Sequence, residues 1–330
     1  MKPFAKYWIP GFAIATFITA EGLLRLGFGL GNPILVQADP ETGYHFQPNQ
    51  KITRFGRKVE YNQYSQRSEQ VTGDKPQGIV RILMTGDSVL NGGSPTDQTQ
   101  TISELLEAKI QNAGVSVEVL NASAGSWGIG NQLGYLRKFG AFASDVVILQ
   151  IGAHDLLQST STGNVVGHHP GYPDQAPLLA IQEVITRYIW PRASRLFQLS
   201  SPPSQDVSAD PNQIFQNNMA DLATIITLVR TERIPILVLF TPNRTDLIPT
   251  PSMPKQKLAF LQRLNALEVP VIDTHSVWST LPTATSETFF RDAMHLSIVG
   301  NQAVADLLFQ ELCVDRPGCK NLQDGVAPLP

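Results

Sequence analysis

Cysteine is almost missing from this chain: two in 330 residues, Cys313 and Cys319. So few cannot build a disulfide framework, and with no histidine beside them they do not form a zinc site. Charge is scarce too. Asp, Glu, Lys and Arg make up 16% of the sequence, the formal net charge is −3, and no dense Lys/Arg stripe occurs. That balance offers no electrostatic footprint for nucleic acid and argues against polyanionic partners. Internal repeats and low-complexity blocks are also absent, which excludes a solenoid or an extended unstructured chain. The hydrophobic fraction, 42% over 330 residues, is that of a folded protein able to bury a sizeable core.

What is present first is an apolar N-terminus. Lys2 and Lys6 precede an uninterrupted apolar stretch from Tyr7 to Ala20; Glu21 breaks it, and Leu23 to Leu30 resumes it around Arg25. Tyr7 to Ala20 is the length of a signal-peptide core, whereas the run counted to Leu30 can cross a hydrocarbon layer of ~30 Å. Glu21 and Arg25 are four apart and can pair on one helix face. Basic residues ahead of the segment and few just after it favour a cytoplasmic N-terminus. Residues 1–31 therefore read as a signal anchor, with the rest of the chain on the periplasmic or extracellular side, or alternatively as a cleaved signal that releases a secreted protein. Either address permits a small-loop Cys313–Cys319 disulfide turned by Pro317 and Gly318, with two unpaired thiols as the alternative.

Residues 32–78 are a polar, Pro- and Gly-punctuated connector whose loose alternation suggests an extended segment or hairpin laid on the main domain. From residue 79 the pattern becomes regular. Short β-branched runs at 79–86, 115–123, 145–153 and 234–242, and a weaker one at 269–275, alternate with helical spacing at 101–113, 214–233, 254–267 and 297–312. Apolar strands separated by helices predict a parallel sheet covered on both faces, and ligands in such sheets bind beyond the carboxyl ends of the strands. The chemistry-bearing residues fall there. Ser88 in TGDS follows the first run, Gly125 in NASAGSWG the second, and His154-Asp155 in IGAHD the third. Asp292 and His295 in DAMHLS lie after the fifth. A serine hydroxyl needs a base, and Asp292 three residues before His295 on a helical turn can orient an imidazole.

Those four blocks, in that order and over about residues 79–312, resemble the SGNH/GDSL hydrolase superfamily. The resemblance implies a three-layer α/β/α, flavodoxin-like fold with a parallel five-stranded sheet. It also implies Ser88 as nucleophile, His295 as base and then acid, Asp292 as its orienting carboxylate, and the Ser88 and Gly125 N–H groups as oxyanion donors. Asp87 would hold the turn. One block departs: where the family has Gly-x-Asn-Asp, this chain has His154, whose ring N–H could serve as the third oxyanion donor. The implied activity is cleavage of acyl or acetyl esters on a small-molecule, glycan or lipid substrate, without metal or cofactor. Acyl transfer to an exported polysaccharide by the same residues is the alternative, and a non-catalytic binding domain is a second. His168-His169 and the glycines around Gly128 read as loop and turn, and the long 157–177 loop reads as a lid or substrate wall. Residues 313–330 form a C-terminal tail.

Overall fold

In the computed structural model of the chain, which describes residues 5–196 and 210–314, the N-terminal apolar run is one helix, α1 (Ala5–Phe28). Its stretch Pro10–Phe28, 19 residues, is long and apolar enough to cross a membrane, and none of it is buried against the rest of the protein. Glu21 and Arg25 pair at 2.6 Å, as their spacing predicts. The pair also reaches across the chain. Glu21 accepts the N–H groups of Ala180 and Ile181 at 2.7 and 3.1 Å, and Arg25 donates to the Leu178 carbonyl at 2.7 Å.

The connector holds two antiparallel hairpins, β1 (Val36–Asp39) with β2 (Gly43–Phe46), and β3 (Gln50–Arg54) with β4 (Arg57–Tyr61). The second closes through Phe55 and Gly56, both at positive φ, the geometry that matches the right-handed strand twist.

The remaining elements alternate. They run β5 (Val80–Gly86), α2 (Ser88–Asn91), α3 (Ile102–Asn112), β6 (Val117–Ser123), α4 (Ile129–Phe139) and β7 (Val146–Gly152). A helical segment follows, α5 (Ala180–Glu183), a wide turn at Val184–Ile189 and α6 (Trp190–Leu196). The chain ends with α7 (Pro211–Thr231), β8 (Ile236–Thr241), α8 (Lys257–Ala266), β9 (Val271–Asp273), α9 (Thr274–Trp278), α10 (Thr283–Thr288) and α11 (Ile298–Phe309). Asp210 caps α7 ahead of Pro211, so the helix starts three residues before the 214 expected from spacing. Cys319, the second half of the expected Cys313–Cys319 bridge, lies outside the described residues.

Strands β5 to β9 form one parallel sheet in the order β6-β5-β7-β8-β9. Every residue of β5, β7 and β8 is buried, because helices cover both faces. Val80, Ile82 and Met84 point to a core shared with α3 and α11, and Leu83 points to one shared with α4, α7 and α8. The chain passes from β5 to β6 on one side and then to β7 on the other. That reversal opens a crevice beyond the carboxyl ends of β5 and β7.

Candidate active site

Ser88 is presented by the end of β5. At Gly86 a Cβ would lie 2.4 Å from Gln150 Oε1, so a side chain there would collide. The close approach lets Gln150 Oε1 accept the Asp87 N–H at 3.1 Å. Asp87 caps α2 by accepting the Val89 N–H at 2.7 Å, which makes Ser88 the first residue of a helix and leaves its own N–H without an intrahelical acceptor. Gly92, in the left-handed region at φ 73°, ends the turn. Buried Arg67 then holds the following loop by donating to the carbonyls of Asn91, Gly93 and Thr96 at 2.5, 2.6 and 2.6 Å.

Residues 207 positions downstream meet this serine: His295 Nε2 lies 2.9 Å from Ser88 Oγ. On the other side of the ring, His295 Nδ1 is 2.9 and 2.8 Å from the two Asp292 carboxylate oxygens. The three-residue spacing works, but not on a helical turn. The segment is an open bend in which Asp292 Oδ1 accepts the N–H groups of Met294 and His295 at 3.0 and 2.8 Å. Burial alone would raise the Asp292 carboxyl; the two backbone N–H groups and the His295 ring outweigh it and hold the group below its ordinary value. A carboxylate on Nδ1 assigns the ring proton to that nitrogen and turns the Nε2 lone pair toward the Ser88 hydroxyl.

Gly125 follows β6, and its carbonyl accepts the Tyr44 hydroxyl from the connector hairpin. Trp127 Nε1 in turn donates to the Tyr44 carbonyl at 2.8 Å. Ser88, Gly125 and His295 line one cavity of about 220 Å³, together with Tyr44 from β2 and Tyr172 from the long 157–177 loop. The connector therefore shapes the site directly through Tyr44 and Arg67, which sequence reasoning did not single out. An aromatic in a short strand and an arginine in a polar stretch carry no local mark of such a role.

His154 departs from the expected arrangement and does not line that cavity. Its Nε2 lies 2.6 Å from Asp87 Oδ2 and its Nδ1 3.1 Å from Asn243 Oδ1, so both ring nitrogens are occupied and neither N–H is left for an oxyanion. The physical reason is that two acceptors, Asp87 on the Ser88 turn and Asn243 after β8, converge on the ring. Burial would depress the ring's proton affinity, but the carboxylates of Asp155 and Asp87 and the Asn243 carbonyl overcome it and push it up to about 10. Asp155 is fully buried, and its Oδ2 accepts the Gly152 N–H at 2.7 Å. Asp87, His154 and Asp155 offer ligand atoms within 4.8 Å of one another. At 2.6 Å, however, the His154–Asp87 contact is a charge-assisted hydrogen bond, closer than two ligands of one ion about 2.1 Å from each would sit.

A model of the GDSL-like Lipase/Acylhydrolase family matches residues 84–303, a span that takes in Ser88, Gly125, His154, Asp292 and His295. No curated protein sequence is similar enough to match. Among solved structures, the chain is similar to a lipase/acylhydrolase from Enterococcus faecalis (19% identity, 70% of this chain and 94% of that one, TM-score 0.43). It is also similar to a lipolytic G-D-S-L protein from Veillonella parvula (15% identity, 70% and 97%, TM-score 0.43).

Proposed function

Because the chain belongs to the GDSL-like lipase/acylhydrolase family and is an ester-hydrolysing enzyme of that type, we propose that it cleaves acyl or acetyl esters with Ser88, His295 and Asp292 and does so outside the cytoplasm, tethered by α1. The observation that carries the reading is the 2.9 Å contact between His295 Nε2 and Ser88 Oγ, with Asp292 2.8 Å from Nδ1.

Ser88 Oγ attacks the ester carbonyl while His295 Nε2 takes its proton, and Asp292 stabilises the imidazolium that forms. The oxyanion sits between the Ser88 and Gly125 N–H groups. Each such donor typically contributes about 100- to 1000-fold in rate. Collapse of the tetrahedral intermediate expels the alcohol, protonated by His295, and leaves an acyl-serine. Water, deprotonated by the same nitrogen, then releases the acid and regenerates Ser88. His154 has no part in these proton transfers. With both ring N–H groups bound it is a positioning residue, holding Asp87 and through it the turn that presents Ser88.

The tether reading rests on the apolar Pro10–Phe28 stretch and on Lys2 and Lys6 ahead of it. The test is fluorophosphonate labelling of the full chain in neutral detergent, with adducts located by peptide mass spectrometry. The expected result is one adduct, on Ser88, lost in Ser88→Ala and reduced at least 1000-fold in rate in His295→Ala. A folded chain that takes no label, or takes it elsewhere, refutes the serine mechanism. Extraction of the chain by high salt without detergent refutes the tether.

A further inference from the structure

Two guanidiniums, Arg187 and Arg291, line the cavity over Ser88, and among the described residues no carboxylate does. Arg291 is accounted for inside the protein. Its Nη1 donates to the Gly92 carbonyl and Thr96 Oγ1 at 3.1 and 2.8 Å, and its Nε lies 3.7 Å from Asp292 Oδ2.

Arg187 is different. Among the described residues, the acid paired with it is Glu183, at 3.7 Å. That carboxylate is already engaged: Arg54 Nη2 reaches its Oε1 at 2.5 Å, and the Gly31 N–H reaches its Oε2 at 2.6 Å. One carboxylate thus stands between two guanidiniums, and among the described residues the group carries one positive charge in excess. Arg54 and Glu183 are 2% and 4% exposed, whereas Arg187 is 28% exposed and turned to the cavity, so the excess charge sits where a ligand would meet it. Burial, with Arg54 nearby, lowers the Arg187 proton affinity, a sign that its charge is under-compensated; a guanidinium nevertheless stays protonated. The helical segment that carries Arg187 starts at Ala180, where Glu21 and Arg25 of α1 fix it. The side chain therefore stands on a held wall. Ile34, Val36 and Tyr44 line the same cavity and offer apolar surface suited to the carbon part of a substrate.

We propose that Arg187 reads an anionic oxygen group on the substrate, a carboxylate or phosphate close to the scissile ester, so that this hydrolase acts on anionic esters. The inference rests on Ser88 being the nucleophile in the same cavity. A guanidinium in a partly desolvated cleft binds such a group by charge-assisted hydrogen bonds, and in a site this exposed the preference should be about tenfold and shrink with added salt.

The experiment compares kcat/KM for 4-nitrophenyl hydrogen succinate and 4-nitrophenyl butyrate on the full chain in neutral detergent, after subtraction of uncatalysed hydrolysis. The anionic ester is expected to be preferred about tenfold. In Arg187→Gln that ratio should fall to near one, chiefly through KM of the succinate, and Arg187→Lys should keep part of it. The lysine variant also keeps the test open if the glutamine variant does not fold. Calorimetric binding of succinate and of inorganic phosphate to Ser88→Ala, with and without Arg187→Gln, reads the charge without chemistry. Binding of either anion that weakens about tenfold in the double variant supports the proposal. Binding of neither, a wild-type ratio at or below one, or an equal loss on both esters in Arg187→Gln overturns it. Fluorophosphonate labelling of the same preparations reports on Ser88 alone. Absent labelling with Arg187-dependent succinate binding would sink the serine mechanism and leave the anion site standing.

Discussion

Replacing His154 by Asn tests what the histidine does in this chain. The ring lies 2.6 Å from Asp87 and 3.5 Å from Asp155, its side chain is 19% exposed, and its proton affinity rises from the ordinary 6.5 to about 10. At about 1.36 kcal/mol for each factor of ten, a rise of that kind is worth on the order of a few kcal/mol to the folded state below about pH 6.5. An Asn amide can return one N–H to Asp87, so His154→Asn should lose about 3 kcal/mol at neutral pH, in line with the loss of one partner of a buried ion pair. The pH dependence gives the sharper signature. A group whose affinity is raised on folding stabilises fully below its unfolded value and loses that contribution as pH climbs to the folded one. The wild-type chain should therefore lose about 1.4 kcal/mol per pH unit from about 6.5 towards 10. His154→Asn should lack that slope. The assay is urea unfolding followed by tryptophan fluorescence at several pH values. Equal stability of the two chains at pH 7, with parallel curves up to about pH 9.5, would refute the reasoning.

Two further outcomes follow from the same geometry. Asp292→Asn keeps the turn compact but cannot hold Nδ1–H as an acceptor of the same strength, so kcat should fall by about 10⁴ with KM little changed, measured on any ester the wild type cleaves. Tyr44→Phe frees the Gly125 carbonyl. The loop carrying the proposed oxyanion donor then loses one tie to the connector and keeps the Trp127 bond to the residue-44 carbonyl, and kcat should drop by about tenfold with a melting temperature within a few degrees of wild type. An unchanged kcat there would mean that the loop holds itself.

Much of the fold was legible without coordinates. The apolar runs at 79–86, 115–123, 145–153 and 234–242 became β5 to β8 with ends moved by a residue or two, and the helix starts at Thr101, Asp210 and Ser297 are capped as their side chains imply. Strand and helix period are local properties of the string. So is the short-range reach from Asp292 to His295, although its turn is a bend and not a helix. The connector's part in the site was not legible, because Tyr44 and Gly125 are 81 residues apart and only the folded hairpin brings them together.

The sequence by itself determined the layered architecture, the family and the order of the candidate residues, since each depends on spacing within a few residues or on blocks in series. Tertiary structure alone decided the states of His154 and Arg187. His154 holds its proton because Asp87 and Asn243, 67 and 89 positions away, converge on its ring. Arg187 shares its carboxylate because Arg54, 129 positions from Glu183, also engages it. Electrostatic energy depends on distance through space, and distance through space is what a linear chain does not record.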